Sequence, residues 1–319
     1  MMMNLRDKSD ASGGKTYLFA MVFNLAVQIV FSLVLSAIMI YGGYSSAEEV
    51  PYYPTINLLA MMALQGAFLA AILFVRPRLL PLPEKKASAW AADIAFAVAA
   101  AALCLACFSW LGEWFALLLD AVGYKLSSLT IDGVTDIILA VVVTVALAPV
   151  IEETIFRNAL IGDLCKSRGM WATVALSGLF FALMHMSPQQ TVYQFFLGAV
   201  CAYVFIKTGN IACPILIHAV NNAVAIVLSL VNVPLLQPAE GSISVLTNNI
   251  AVSIPVTIIL AVAGAAAIYF LGKPYKTAFE FGGMTKDGEK KQRDIGFIAR
   301  IVALVICGCM WIFNFIGSI

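Results

Sequence analysis

Little in this sequence can do chemistry, and what can is closely spaced. Glu152 and Glu153 are adjacent, Arg157 follows Glu153 by four residues, and His185 and His218 are the only histidines of the chain. Asn222 follows His218 by four residues, and Phe181 precedes His185 by four. A carboxylate can take a proton from water, an imidazole can hold or pass one, and a carboxamide can donate to a developing oxyanion. One carboxylate and two imidazoles also make a three-ligand catalytic zinc set, or a proton relay across a membrane. Hydrolysis, with or without a metal, and proton transfer are the chemistries these residue types allow.

The elements that must hold these groups are apolar. Hydrophobic residues make up 62% of the 319 and charged residues 12%, against about 25% charged in ordinary soluble domains. That composition excludes a disordered chain, a nucleic-acid module and a soluble multidomain enzyme. The net charge of +1 provides no field to draw in nucleic acid. The seven cysteines lie in apolar runs or short loops without zinc-ribbon spacing, and read as small packing residues.

Crossing a bilayer takes about 20 mostly apolar residues as helix. Runs of that kind predict an all-α, polytopic membrane helix bundle of about nine transmembrane helices. They fall near 17–41, 56–75, 94–113, 137–162, 170–186, 191–206, 211–231, 249–272 and 298–317. A polar N-terminus, 1–16, precedes a single bundle over 17–319, with the candidate residues inside about 137–231. Lys and Arg collect on the cytoplasmic side of membrane proteins. With the N-terminus cytoplasmic, the inner segments hold every Lys and Arg except Lys125, from Arg6, Lys8 and Arg78 to Lys286, Lys290, Lys291, Arg293 and Arg300. The outer loops instead carry Glu48, Glu49, Asp120, Asp132, Asp136 and Glu240.

Helical spacing turns the residue list into geometry. Residues four apart share a helix face, which pairs Glu153 with Arg157, Phe181 with His185 and His218 with Asn222. Adjacent acids point about 100° apart, so one can pair with Arg157 while the other is left as a tunable base. Pro149 removes a backbone hydrogen bond just before the acids and can bend the helix. Taken singly, each residue has a structural use: Glu153 and Arg157 as a neutralised pair, either histidine or Asn222 as a bond between helices, Phe181 as packing. Three neighbouring helices bearing an acid, two imidazoles and an amide together point to a site. Counted inward at ~1.5 Å per residue, His218 lies about 10 Å deep, Glu152 about 15 Å and His185 about 22 Å. They meet only if the helices tilt or the fourth one bends.

In order along the chain, Glu152-Glu153-x-x-x-Arg157, Phe181-x-x-x-His185 and His218-x-x-x-Asn222 resemble the motifs of the CPBP family. These are the CAAX-prenyl-protease and bacteriocin-processing intramembrane proteases, also called Abi. The resemblance covers about residues 137–231 and implies hydrolysis of peptide bonds near the membrane. Eukaryotic members remove the last three residues of prenylated CAAX proteins; prokaryotic relatives are linked to peptide maturation, bacteriocin self-immunity and signalling. The implied partners are the lipid bilayer and a peptide or membrane-protein substrate. The compact chain resembles prokaryotic members, which implies a multi-pass protein of the plasma membrane.

Two mechanisms remain open on these residues. In the first, Glu152 and His185 hold a water, Glu152 is the general base, and His218 with Asn222 stabilises the oxyanion; Glu153, Arg157 and Phe181 support them. In the second, Glu152, His185 and His218 ligate Zn²⁺, which lowers the pKa of bound water to about 7. The chain has no His-Glu-x-x-His helix, and an amide in the third motif suits an oxyanion better than zinc. A non-catalytic membrane adaptor or bacteriocin-immunity factor is the competing class. A proton-coupled transporter would show paired halves with broken helices, which the sequence lacks. No sequence feature sets an oligomeric state.

Overall fold

The computed structural model describes residues 12–77, 79, 82–127, 129–231, 250–281 and 288–319. Among them the chain forms α1 (Ser12–Gly42), α2 (Tyr53–Val75), α3 (Ala87–Ala121), α4 (Val134–Ser167), α5 (Met170–Met184), α6 (Thr191–Thr208), α7 (Ala212–Val231), α8 (Ile250–Gly272) and α9 (Gly288–Gly317). Eight of these are long and apolar enough to cross a membrane; α5, at 15 residues, is shorter. Large apolar side chains such as Leu33, Phe74, Ile259 and Phe313 face outward, as a surface solvated by lipid tails allows. The chain is an all-α, integral multi-pass membrane protein. Arg6, Lys8, Arg78, Glu240 and Lys286, on which the loop-charge pattern partly rests, lie outside the described residues, as do the side chains of Lys290, Lys291 and Arg293.

Helix ends depart from hydropathy where a polar group finds a partner. The helix α1 starts at Ser12, inside the expected polar segment, because the Gly14 N–H donates to Asp163 Oδ2 at 2.8 Å. Gly13 makes that approach possible: a Cβ there would lie 2.3 Å from the Ala159 carbonyl oxygen. The helix α3 begins seven residues early, and Asp93 sits within it. Lys85 Nζ meets Asp93 Oδ2 at 2.7 Å and the Thr208 carbonyl at 2.7 Å, and Asn210 donates to the same carboxylate. A neutralised, hydrogen-bonded acid no longer has to end an apolar helix.

Residues Val141–Leu147 and Thr154–Leu160 of α4 are π-helical, flanking an α-helical Ala148–Glu153. Pro149 accounts for the first widened turn. It has no N–H, and the Ala148 N–H reaches back five residues to the Val143 carbonyl. The Thr144 carbonyl is thereby left without a backbone donor at 148 or 149. The expected single bend is therefore two wide turns, one on each side of the acids.

The helix α6 is the most enclosed span and packs on α5, α3 and α7. The first wide turn of α4 lies against α7 and the second against α1, while α8 covers α3 and α9 covers α1. Small residues set the closest seam. A Cβ on Gly178 would come within 2.7 Å of the Phe195 carbonyl, and one on Gly198 within 3.0 Å of Gly178 Cα. Close backbone approach of this kind drives helix association where burial from water cannot.

Candidate active site

Glu152 and Glu153 separate as adjacent helical residues must, and both are buried. Glu153 Oε2 faces Arg157 Nε at 2.9 Å, and Glu153 Oε1 lies 3.1 Å from His218 Nδ1. Arg157 is fully buried; its Nη2 donates to the Gly198 carbonyl at 2.8 Å, and its guanidinium lies 4.7 Å above the Phe181 ring. Gly198 thus has two uses, letting α5 and α6 touch and presenting a carbonyl to the buried cation. Glu152 is held differently. Its Oε1 accepts from Gln65 Nε2 at 2.8 Å, while its Oε2 has no hydrogen-bond partner among the described residues and lies 4.0 Å from His218 Nε2.

The histidines are oriented by groups that can only accept. His218 Nδ1 faces the Glu153 carboxylate and must donate to it. His185 Nδ1 lies 2.9 Å from the Phe181 carbonyl and must donate there, which leaves Nε2 of the neutral ring as an acceptor. Phe181 is packed between the rings, 5.0 Å from the His185 centroid and 5.4 Å from that of His218. His185 also lies within electrostatic range of Glu152 and of His218. Glu152, Glu153, Arg157, Phe181, His185 and His218 are therefore gathered from α4, α5 and α7. The depth mismatch is absorbed by α5, which stops before the far side, and by the wide turns of α4.

The end of α5 beside His185 exposes carbonyls inside a membrane, where each needs a donor. Tyr17 of α1 donates to the Phe180 carbonyl at 3.2 Å, and His185 itself caps that of Phe181. Backbone N–H groups of His185 and Met186 take Ala182 and Leu183. Asn24 of α1 donates to Met184 and Asn314 of α9 to Met186, at 3.4 and 2.7 Å. Met186 turns the chain with φ +51°, the left-handed conformation that closes many helices.

Asn222 makes its hydrogen bonds to the backbone of α4 and to its own neighbour. Its Nδ2 donates at 2.7 Å to the Thr144 carbonyl that Pro149 leaves unpaired, and its Oδ1 accepts from Asn221 at 3.2 Å. Asn221 Oδ1 accepts in turn from the Tyr193 hydroxyl of α6. Gln65, Tyr193, Asn221 and the α1 donors are absent from the sequence-derived site. Each is an uncharged polar residue inside an apolar run, a signal that a search for ionisable residues passes over.

The donor set bears on zinc. Both histidines carry the second-sphere bond on Nδ1 that metal-binding imidazoles use, and Glu152 with His218 has a ligand-like spacing. Among the described residues, however, no group of three His, Cys, Asp or Glu side chains is gathered closely enough to hold a metal ion.

The comparisons with known proteins fall on this same segment. A family model described as type II CAAX prenyl endopeptidase Rce1-like matches residues 134–224. A putative membrane peptidase of Bacillus subtilis (strain 168), YdiL, is 23% identical over 100 residues, 31% of this chain and 41% of that protein. The membrane-embedded CAAX protease MroQ of Staphylococcus aureus (strain USA300) is 28% identical over 99 residues, 29% of this chain and 40% of that one. The chain thus spans about two fifths of the length of these curated relatives. No solved structure matches it. The matched segment contains all three motifs and the side chains just described, and over those residues the chain is similar to Rce1-like membrane CAAX proteases.

Proposed function

We propose that the chain is an intramembrane endopeptidase cutting peptide bonds of membrane-associated or lipidated, CAAX-like proteins or peptides. The observation that carries this reading is the buried Glu152 Oε2, unpartnered among the described residues and 4.0 Å from His218 Nε2. A carboxylate oxygen beside an imidazole edge is suited to hold and deprotonate one water.

In this reading a water donates one hydrogen bond to Glu152 Oε2 and the other to His185 Nε2, leaving an oxygen lone pair for the scissile carbonyl carbon. Glu152 takes the proton as the C–O bond forms. The carbonyl oxygen becomes an oxyanion and is met by Asn222 and by the edge of His218, whose ring Glu153 holds through Nδ1. Glu152 then returns its proton to the departing amine nitrogen as the C–N bond breaks, regenerating the carboxylate. Gln65 and Arg157 have positioning roles, holding Glu152 and Glu153 in separate orientations. No step is routed through a metal.

The test compares peptides released from membranes that carry wild-type or Glu152→Gln protein at equal abundance. A set of cleaved products absent from the variant is expected, with turnover reduced about 10²–10⁴-fold, the usual weight of a general base. Identical products from both would assign the bundle to binding rather than hydrolysis.

A further inference from the structure

The Thr144 carbonyl gives direction to a hydrogen-bond chain that no motif records. It can only accept, so Asn222 must present Nδ2 to it. The Asn222 amide oxygen then faces Asn221, which must present its own Nδ2. The Asn221 oxygen is left facing Tyr193, which must donate its hydroxyl proton. Every link is fixed by the one after it, from α6 through α7 to the wide turn of α4.

An isolated Asn side chain can flip and present oxygen where nitrogen stood. Here a flip of Asn222 would set two oxygens facing each other at Thr144 and two NH₂ groups at Asn221. We propose that Tyr193 and Asn221 are positioning residues that lock the Asn222 amide in one orientation, with Pro149 supplying the unpaired carbonyl at the chain's end. Thr144 occupies one Nδ2 proton, and the second is kept for the substrate oxyanion. The inference rests on the endopeptidase reading, in which Asn222 meets that oxyanion.

The test uses purified full-length protein in liposomes and a pool of quenched fluorogenic peptides, with and without an S-farnesyl cysteine fourth from the end. Tyr193→Phe keeps the ring that packs on Gly112 and removes only the hydroxyl. A fall in kcat of roughly tenfold, the value of one neutral hydrogen bond, is expected with KM unchanged. In an Asn222→Ala background the same substitution should change kcat less than about twofold, since coupled residues are not additive. Asn221→Leu should repeat both results and serves as the second variant where Tyr193→Phe does not accumulate. Wild-type kcat in Tyr193→Phe, or equal losses in both backgrounds, overturns the relay. Wild-type cleavage by Glu152→Gln would instead overturn the endopeptidase reading, so the two failures are distinct.

Discussion

A fully buried arginine is stable only where its charge is met. Arg157 is met by Glu153, by the Gly198 carbonyl and by the Phe181 ring. Replacing it with Met removes the cation and leaves Glu153 facing His218 alone. Breaking a buried pair costs about 3–5 kcal/mol, and thermal unfolding in detergent should show a loss of that order. Arg157→Lys should recover only part of it, because an ammonium lacks the planar fork that can reach Gly198 while stacking on Phe181. The donor geometry leads to a second expectation. Exhaustive chelation, with metal content checked by mass spectrometry, should leave cleavage intact; activity lost on chelation and regained only with Zn²⁺ would assign Glu152, His185 and His218 to a metal after all.

At the scale of elements, the short α5 depends on its neighbours. Asn24→Ala or Asn314→Ala strands a carbonyl at the turn that carries His185, at a cost of about 1–3 kcal/mol each. Both should lower the unfolding temperature, and the double variant should lose more activity than stability as the His185 ring drifts from Glu152. Hydropathy alone makes the nine helices among the described residues legible, since every predicted apolar run became one. Their ends were not, because Asp93 and Gly14 are settled by partners far along the chain. Glu153 with Arg157 and the separation of the two acids follow from helical spacing; Gln65 and Tyr193 do not. Their hydrogen bonds join helices distant in sequence, and an uncharged amide or phenol in an apolar run carries no outward mark of its partner. The wide turns of α4 were equally hidden, for Pro149 announces a lost hydrogen bond but not how the helix absorbs it.

Loop charge predicts a sidedness for the whole molecule. Lys125 is exposed in the α3–α4 connection, whereas Lys85 and Lys166 lie at the opposite helix ends. In intact cells, a membrane-impermeant thiol reagent should label a cysteine placed at 125 and spare one placed at 166, with both labelled after lysis. The reverse pattern would invert the bundle.

The first π-helical stretch carries a consequence for chain length. A π turn holds about one more residue than an α turn, so deleting a single residue within 141–143 lets that stretch relax to ordinary helix with both flanks still in phase. Such a shortened protein should fold, insert and keep its acid pair where it is. The carbonyl orphaned by the proline would move from Thr144 to its successor, about 100° around the axis, out of reach of Asn222. A well-folded yet sluggish deletion variant would show that the surplus residue is retained for its effect on a single oxygen atom.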